Sequence, residues 1–314
     1  MQRFELKRHV SRRLAQGRRL GAASPSDELR LAVLLHPKDD QALRDATHAV
    51  SDPASARYGK FLSAEEVRRL VAPGYQDTDA VVAWLNDAGL RTSEPTGART
   101  VIEVRGTAEA VSRALDAPIG RFAFPTTMFP KVRGPRLAVE RNPQIPASLA
   151  SIVRGIAGLN DLPAARFFPP PLSPARSRVA QRGPGDARGP EGGFTPAAIH
   201  AAYGIPDSDS SSHDGAGERI GILEFGGGYS PADFETFCRT YMLPTGNVGE
   251  ISVSGALNDF RGKTGDADVE VALDMDWVRA AAPAAAIDLY WTPNVYSGWV
   301  DFLSMLLDLP ENRR

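Results

Sequence analysis

Hydrophobic and polar positions follow two different periods along the first part of the chain. Leu29–Leu35 is a short apolar run typical of a strand, and Asp40–Val50 has the spacing of an amphipathic helix. The sequence Ser63-Ala-Glu-Glu66 matches a capping box and predicts the start of another helix. Further segments of both kinds follow. The pattern predicts a compact α+β unit over residues 28–162.

The last part of the chain, residues 193–314, alternates more simply between strands and helices. This order is typical of a parallel α/β sheet. Only two buried strands are evident, and a parallel sheet needs more strands than that. We therefore expect this part to be an incomplete domain. The predicted elements are a strand at Glu218–Phe225, a helix capped by Ser230, a helix at about Gly265–Ala282, a strand at Ala286–Trp291 and a helix at Val300–Leu309.

Two segments outside these units have no hydrophobic period. Residues 1–27 are rich in arginine and are predicted to be a basic disordered arm. Residues 163–192 are rich in proline, arginine and glycine, so they cannot bury enough apolar surface to order themselves. Such a segment is readily cleaved by proteases. We interpret it as a cleavable linker, and a plain interdomain tether is the alternative.

Composition narrows the class of protein. The 314 residues are enough for two domains, and 42% hydrophobic and 24% charged residues fit a globular protein. A net charge of −2 gives no field that would attract nucleic acid or an acidic membrane. Cys238 is the one cysteine, so an intrachain disulfide is excluded. No apolar run reaches the ~18 residues of a membrane span, and the N-terminus lacks the apolar region of a signal peptide.

The stretch from Asp266 to Trp277 is the most unusual in the chain. Glu270 and Asp274 are four residues apart, so they lie one above the other on one face of a helix. If such a pair is desolvated, it titrates as a coupled unit and can accept or donate a proton. The alternative is a solvated acidic face near a helix N-terminus. The acidic residues of this stretch are Asp266, Asp268, Glu270, Asp274 and Asp276.

Other familiar site patterns are absent from the sequence. The Gly226–Gly228 turn lacks the spacing and the lysine of a phosphate-binding loop, and Glu224 before it would repel a phosphate. The acidic stretch lacks the glycine of an EF-hand, and no zinc motif is present. The histidines lie outside any motif, so the sequence points to no Ser-His-Asp grouping. These histidines are His9, His36, His48, His200 and His213.

Several motifs together resemble those of the sedolisins, or serine-carboxyl peptidases, with a kumamolisin-type propeptide. The resemblance implies a ferredoxin-like α+β propeptide followed by the N-terminal part of a subtilisin-like α/β domain. It covers about residues 28–310. The motifs are Asp52–Ser63, Ile145–Leu149 and Val153–Leu159 in the first unit, and Phe194–Tyr203, Ile222–Tyr229 and Glu270–Asp274 in the second.

The resemblance implies roles for three acids. Glu270 matches the general base that replaces histidine in this family, and Asp274 matches the aspartate that orients it and shares its proton. Glu224 matches a further acid of the same network. A carboxylate base works best at acidic pH, near its own pKa. The other acids of the stretch are expected to be solvated, and Trp277 and Trp291 to be core aromatics rather than a substrate platform.

The sequence also departs from the family. The Ser-Gly-Thr-Ser motif of the nucleophile is absent, and Ser297-Gly298 is followed by Trp299 instead. The family's oxyanion-hole aspartate and calcium site also lie downstream of the acidic helix, so no metal is expected in this chain. Without a nucleophile the chain is expected not to hydrolyse peptides.

The leading hypothesis is a truncated, acid-acting endopeptidase zymogen. Its propeptide would bind its own catalytic domain, and cleavage near residues 183–193 would release it. Peptides or proteins would be its substrates, and the family resemblance implies an extracellular location although no signal peptide is visible. The alternatives are a non-catalytic protease-binding or inhibitory protein and one half of a split peptidase.

Overall fold

A computed structural model describes residues 2–125, 134–164, 194–205, 214–262 and 266–309. The chain divides into two compact units. Unit 1 comprises Met1–Ala164 with Val295–Arg314, and unit 2 comprises Ala165–Asn294. Apart from its first two residues, the linker predicted at 163–192 lies outside the described residues.

Both units mix strands and helices. The strands are β1 (Arg3–Glu5), β2 (Arg18–Ala22), β3 (Glu28–Leu35), β4 (Arg91–Thr92), β5 (Val101–Thr107), β6 (Ile119–Ala123), β7 (Arg136–Val139), β8 (Gln144–Pro146), β9 (Val153–Ala157), β10 (Arg219–Glu224), β11 (Val248–Ser252) and β12 (Ala286–Trp291). The helices are α1 (Asp40–Ser51), α2 (Ala64–Val71), α3 (Tyr75–Asp87), α4 (Ala108–Leu115), α5 (Pro196–Tyr203), α6 (Pro231–Thr240), α7 (Asp266–Ala281) and α8 (Tyr296–Asp308), with short 3₁₀ helices at Arg12–Gln16 and Ala147–Leu149.

The core of unit 1 lies on an antiparallel sheet of order β4-β5-β3-β9. Leu31 and Val33 of β3 are fully buried together with Val81 of α3 and Val111 of α4. The sheet therefore buries apolar side chains against these two helices. The capping box predicted at Ser63 is confirmed. The Ser63 side chain accepts a hydrogen bond from the Glu66 N–H, and the Glu66 side chain accepts one from the Ser63 N–H.

The N-terminal segment is ordered by pairing with distant parts of unit 1. Strand β1 pairs with β8 and β2 pairs with β6, both antiparallel. Leu6 is only 4% exposed, and the His9 Nε2 atom accepts a hydrogen bond from the Ile156 N–H at 3.0 Å. For its described residues, the prediction of a basic disordered arm over 1–27 is wrong. Arg3, Arg18 and Arg19 are exposed on these strands, whereas backbone pairing and Leu6 hold the segment in place.

Unit 2 is built on three strands that pair in parallel, in the order β10-β12-β11. The sequence predicted only two strands, because β11 is short, contains a glycine and is at most half-buried. Helix α7 covers the sheet through Val271 and Met275, which are fully buried. Helix α5 begins as predicted, with Thr195 as its cap and a proline at its start.

Helix α8 groups with unit 1, although the predicted domain over 193–314 included it. Asp301 forms an ion pair with Arg30 of β3 at 2.6 Å. Asp308 accepts hydrogen bonds from the Gly97 N–H at 2.6 Å and the Ala98 N–H at 3.0 Å. These two carboxylates attach the helix to the strand and the turn of unit 1.

Candidate active site

Glu224 is the last residue of β10, at the carboxyl end of the parallel sheet of unit 2. Its side chain is 2% exposed, and its Oε1 atom has no hydrogen-bond partner among the described residues. The chain then turns through Gly226 and Gly227, whose φ angles of 84° and 78° favour glycine. Functional groups commonly gather at this edge of a parallel sheet, because the strand ends open into loops there.

Helix α7 brings two further carboxylates to the same place. Glu270 is exposed and Asp274 is half-buried. Burial, then the charges of Asp274 and Glu270, raise the pKa of Glu224 to about 8. Burial and the charge of Glu270 also raise the pKa of Asp274. The three acids singled out from the sequence therefore form one electrostatic cluster, the acid cluster of Glu224, Glu270 and Asp274.

Such a cluster can hold and pass protons at ordinary pH. A buried carboxyl whose pKa is about 8 keeps its proton at pH 7. An exposed carboxylate beside it remains available to a reacting group. When two neighbouring acids lie in different environments, their pKa values differ, so one can act as an acid and the other as a base.

Two acids predicted to be solvated are not. Asp268 is 5% exposed, and its two carboxylate oxygens accept hydrogen bonds from the Gly228 N–H at 3.0 Å and the Arg261 N–H at 2.8 Å. Asp276 is half-buried, and burial together with the charge of Asp233 raises its pKa to about 7. The side chain of Asp266 lies outside the described residues. Spacing alone could not separate these acids, because all of them belong to one helix.

An aromatic pair lies beside the acid cluster. Trp291, next to Glu224 in the register of the sheet, is 1% exposed and stacks on Tyr229 with ring centroids 6.4 Å apart. The Trp291 Nε1–H and the Tyr229 hydroxyl donate to Glu250, at 3.0 Å and 3.2 Å. Burial and Glu250 raise the pKa of Tyr229 to about 12. Trp291 is thus a core aromatic, as predicted. Nothing in the sequence indicated that Glu250 would accept hydrogen bonds from this pair, because β11 was not predicted.

Other candidate groups do not form a site in the described part of the chain. No set of three or more His, Cys, Asp and Glu side chains converges there to hold a metal ion. Ser297 is buried in the first turn of α8, in unit 1. Cys238 is 1% exposed, and burial raises the pKa of its thiol. Among the described helices, none is both long and apolar enough to span a membrane.

Comparison with known proteins adds independent information. Residues 15–162 match the family model described as "Pro-kumamolisin, activation domain". Kumamolisin from Bacillus sp. (strain MN-32) is 28% identical over 211 residues, which cover 66% of this chain and 35% of that protein. Tripeptidyl-peptidase 1 from Rattus norvegicus and from Homo sapiens is 28% identical over 92% of this chain and 48% of each relative. The chain therefore spans about half, or less, of the length of these relatives.

Proposed function

Because this chain is a pro-kumamolisin-containing protein of the sedolisin family, we propose that it is part of an acid-acting serine-carboxyl endopeptidase zymogen. Residues 28–162 are the activation propeptide, of ferredoxin-like form. Residues 193–314 are the N-terminal part of a subtilisin-like catalytic domain. Residues 163–192 are the linker that is cut on activation.

One observation carries the proposal: the acid cluster at the carboxyl end of β10. Bringing three carboxylates together costs free energy, because the charges of Asp274 and Glu270 disfavour the charged form of Glu224, and the charge of Glu270 disfavours that of Asp274. A purely structural helix and strand gain nothing from such a group. A peptidase that replaces the usual histidine base by a carboxylate does gain, because its neighbouring acids can hold and share the proton that the base takes up.

In the proposed mechanism, Glu270 is the general base because it is the exposed member of the cluster. It takes the proton of the attacking serine hydroxyl and later delivers that proton to the leaving amine. Asp274 orients Glu270 and shares its proton, and the protonated Glu224 supports Asp274. The serine has no counterpart in the Ser-Gly-Thr-Ser form among these 314 residues. We therefore propose that these residues alone do not hydrolyse peptides.

Partners, metal and location follow from the same family assignment. The propeptide binds its own catalytic domain, and the substrates are peptides or proteins. Calcium is the metal of the family, and Asp268 is not proposed as one of its ligands, because both of its oxygens already accept hydrogen bonds from backbone N–H groups. Calcium ligands would come from outside these residues. We propose an extracellular location.

Peptide hydrolysis is the test of this function. The reading frame beyond codon 314 is sequenced, and its whole product is assayed on a quenched fluorescent peptide from pH 3 to pH 7. We expect a Ser-Gly-Thr-Ser motif and activity at acidic pH. Glu270→Gln and Asp274→Asn should each lower kcat/KM by about 10²–10⁴-fold. Glu235→Gln, at an exposed position of α6, is the matched control and should leave kcat/KM unchanged. No hydrolysis by the unaltered product would contradict the proposal.

A second function is favoured by the independence of the unit 1 core. That core is a contiguous apolar cluster drawn from unit 1 alone, and all of its buried members except Leu6 lie within the matched activation domain. A chain with this unit can bind and inhibit a related peptidase without any chemistry of its own. If the frame ends at codon 314, the chain should inhibit kumamolisin in the same peptide assay. A separate chain that restores hydrolysis would instead indicate a split peptidase.

A further inference from the structure

Asp268 is a buried carboxylate in the first turn of α7, two residues before Glu270. A charged side chain is rarely buried unless each oxygen has a partner. Here each oxygen accepts a backbone N–H: Oδ1 from Gly228 at 3.0 Å and Oδ2 from Arg261 at 2.8 Å. The carboxylate therefore links α7 to two separate pieces of backbone.

The first of these pieces is the turn that follows Glu224. At Gly227, an added Cβ atom would lie 2.8 Å from the Ala267 backbone oxygen, so this turn lies directly against the start of α7. Such a close approach needs glycine and also an attractive contact to maintain it. The hydrogen bond from the Gly228 N–H to Asp268 is a charge-assisted contact of this kind.

The second piece is the loop before α7. The Asp259 N–H donates to the Gly227 carbonyl oxygen at 3.0 Å, and Asn258 exchanges two hydrogen bonds of 3.2 Å with the Tyr229 backbone. Asp268 accepts from the Arg261 N–H of the same loop. The turn after β10, this loop and the first turn of α7 thus form one hydrogen-bonded assembly that contains Asp268.

The burial of Glu224 beside two other acids works against this arrangement. Separation of α7 from the end of β10 would let water reach Glu224 and would take Glu270 and Asp274 away from it, and both changes favour its charged form. A tether between the two elements has to oppose that separation. Asp268 is suited to this because it lies on the same helix as two of the acids and bonds to the turn that follows the third.

We propose that Asp268 is a positioning residue for the acid cluster, which ties the turn after β10 to the first turn of α7 and so holds Glu224 beside Glu270 and Asp274. The proposal rests on the function proposed above, because it assigns Asp268 to the same reaction. It does not make Asp268 a group that touches substrate. The roles of the residue are to fix distance and to keep water away from Glu224.

The test compares Asp268→Asn with Asp259→Asn in the 314-residue chain. Asn keeps the shape of Asp268 but places an NH₂ group against one of the two backbone donors. Asp259 is an exposed carboxylate of the same loop that bonds only to the Arg261 side chain among the described contacts, so it is a matched control. Amide exchange of Gly228 and Arg261 and the titration of the Glu224 carboxyl carbon are measured by NMR.

In Asp268→Asn, we expect at least one of the two amides to exchange about tenfold faster or more. The pKa of Glu224 should fall from about 8 towards its ordinary value of 4.5. Asp259→Asn should change neither reading. Faster exchange with an unchanged Glu224 titration would show a merely structural residue and overturn the proposal, as would unchanged exchange.

A second variant covers the case in which Asp268→Asn does not fold. Asp268→Glu keeps the charge and lengthens the side chain, and we expect it to give a Glu224 pKa between those of the wild type and the ordinary glutamate. If the Gly228 or Arg261 amide exchanged faster in this variant while the pKa of Glu224 stayed at its wild-type value, the positioning role would be contradicted. Absence of peptidase activity in the complete product would overturn the proposed function but would leave these NMR readings as they are.

Discussion

At the scale of single residues, Glu224 is a buried acid of unit 2 whose charged form is strongly disfavoured. It is almost removed from water, and its Oε1 atom has no partner among the described residues. A buried acid in this state is more easily kept protonated than charged. The free energy of unfolding should therefore depend on pH in a direction opposite to that of an ordinary ion-paired acid.

The first prediction concerns this pH dependence. The pKa of Glu224 is about 8 in the folded state against 4.5 ordinarily, so between these values only the folded state holds the proton. Stability should therefore fall as pH rises from 4.5 to 8, with a slope of up to about 1.4 kcal/mol per pH unit. Glu224→Gln should remove this contribution, and Glu235→Gln should leave it intact. Asp276, whose pKa is about 7 against 3.8 ordinarily, adds a slope of the same sign and limiting size between those values, so part of the pH dependence remains in Glu224→Gln.

Urea unfolding at pH 5 and pH 8, read from hydrogen exchange of peptides in α7 and β12, measures this slope for unit 2. Equal slopes for the wild type and Glu224→Gln would show that Glu224 is not held in its protonated form.

The residues of this site differ in how clearly the sequence indicates them. Glu270 and Asp274 were visible from their spacing, because a helix brings positions four apart together. Glu224 was found only through the family resemblance, since a lone glutamate at a strand end has no pattern of its own. Asp268 was predicted to be solvated, because its burial depends on the Gly228 and Arg261 amides, which tertiary structure supplies.

At the scale of elements, the strands found from sequence were those with buried apolar runs. β3 and β12 match the predicted segments closely, and α7 begins and ends within about a residue of its prediction. β1, β2 and β11 were missed, and their side chains are mostly exposed. β8 and β9 were missed too, although each has two buried residues. These strands are held by backbone pairing with strands far along the chain, and hydrophobic periodicity does not reveal such pairing.

The second prediction tests the N-terminal segment as an integral part of unit 1. Leu6 is 4% exposed and belongs to the main apolar cluster of that unit. Leu6→Ala should lower the free energy of unfolding by about 2–5 kcal/mol, because it leaves a cavity in a packed core. Leu20→Ala, at a position 42% exposed on β2, should cost about 0.5 kcal/mol or less.

Urea unfolding followed by circular dichroism gives both values. If Leu6→Ala were as mild as Leu20→Ala, the segment before β2 would not be packed in the way the structure shows.

At the scale of the whole molecule, the sequence predicted two units joined by a linker that carries many arginines and prolines. The match to an activation domain at residues 15–162 agrees with a propeptide in the first part of the chain. The parallel pairing of β10 with β12 could be anticipated from the alternation of strands and helices, whereas the pairing of β11 with β12 could not, because β11 was not predicted. The membership of α8 in unit 1 could not, because it depends on Asp301 and Asp308 meeting partners more than two hundred residues earlier.

The third prediction concerns activation of the complete protein. Incubation at about pH 4 should cut the chain near residues 183–193 and release roughly the first 190 residues, since this segment has no hydrophobic period to protect it. Gel electrophoresis with N-terminal sequencing of the products locates the cut. The product carrying Glu270→Gln should remain uncut if cleavage is autocatalytic. Unchanged mobility of the wild-type product after acid incubation would contradict the proposed zymogen.

The measurement that bears most directly on the central claim is the NMR titration of the Glu224 carboxyl carbon in the 314-residue chain, with the signal assigned by its loss in Glu224→Gln. The acid cluster predicts a pKa of about 8, lowered in both Glu270→Gln and Asp274→Asn because each removes a neighbouring charge. A pKa near 4.5 that neither substitution moves would contradict the cluster, and the proposed peptidase chemistry would lose its main support.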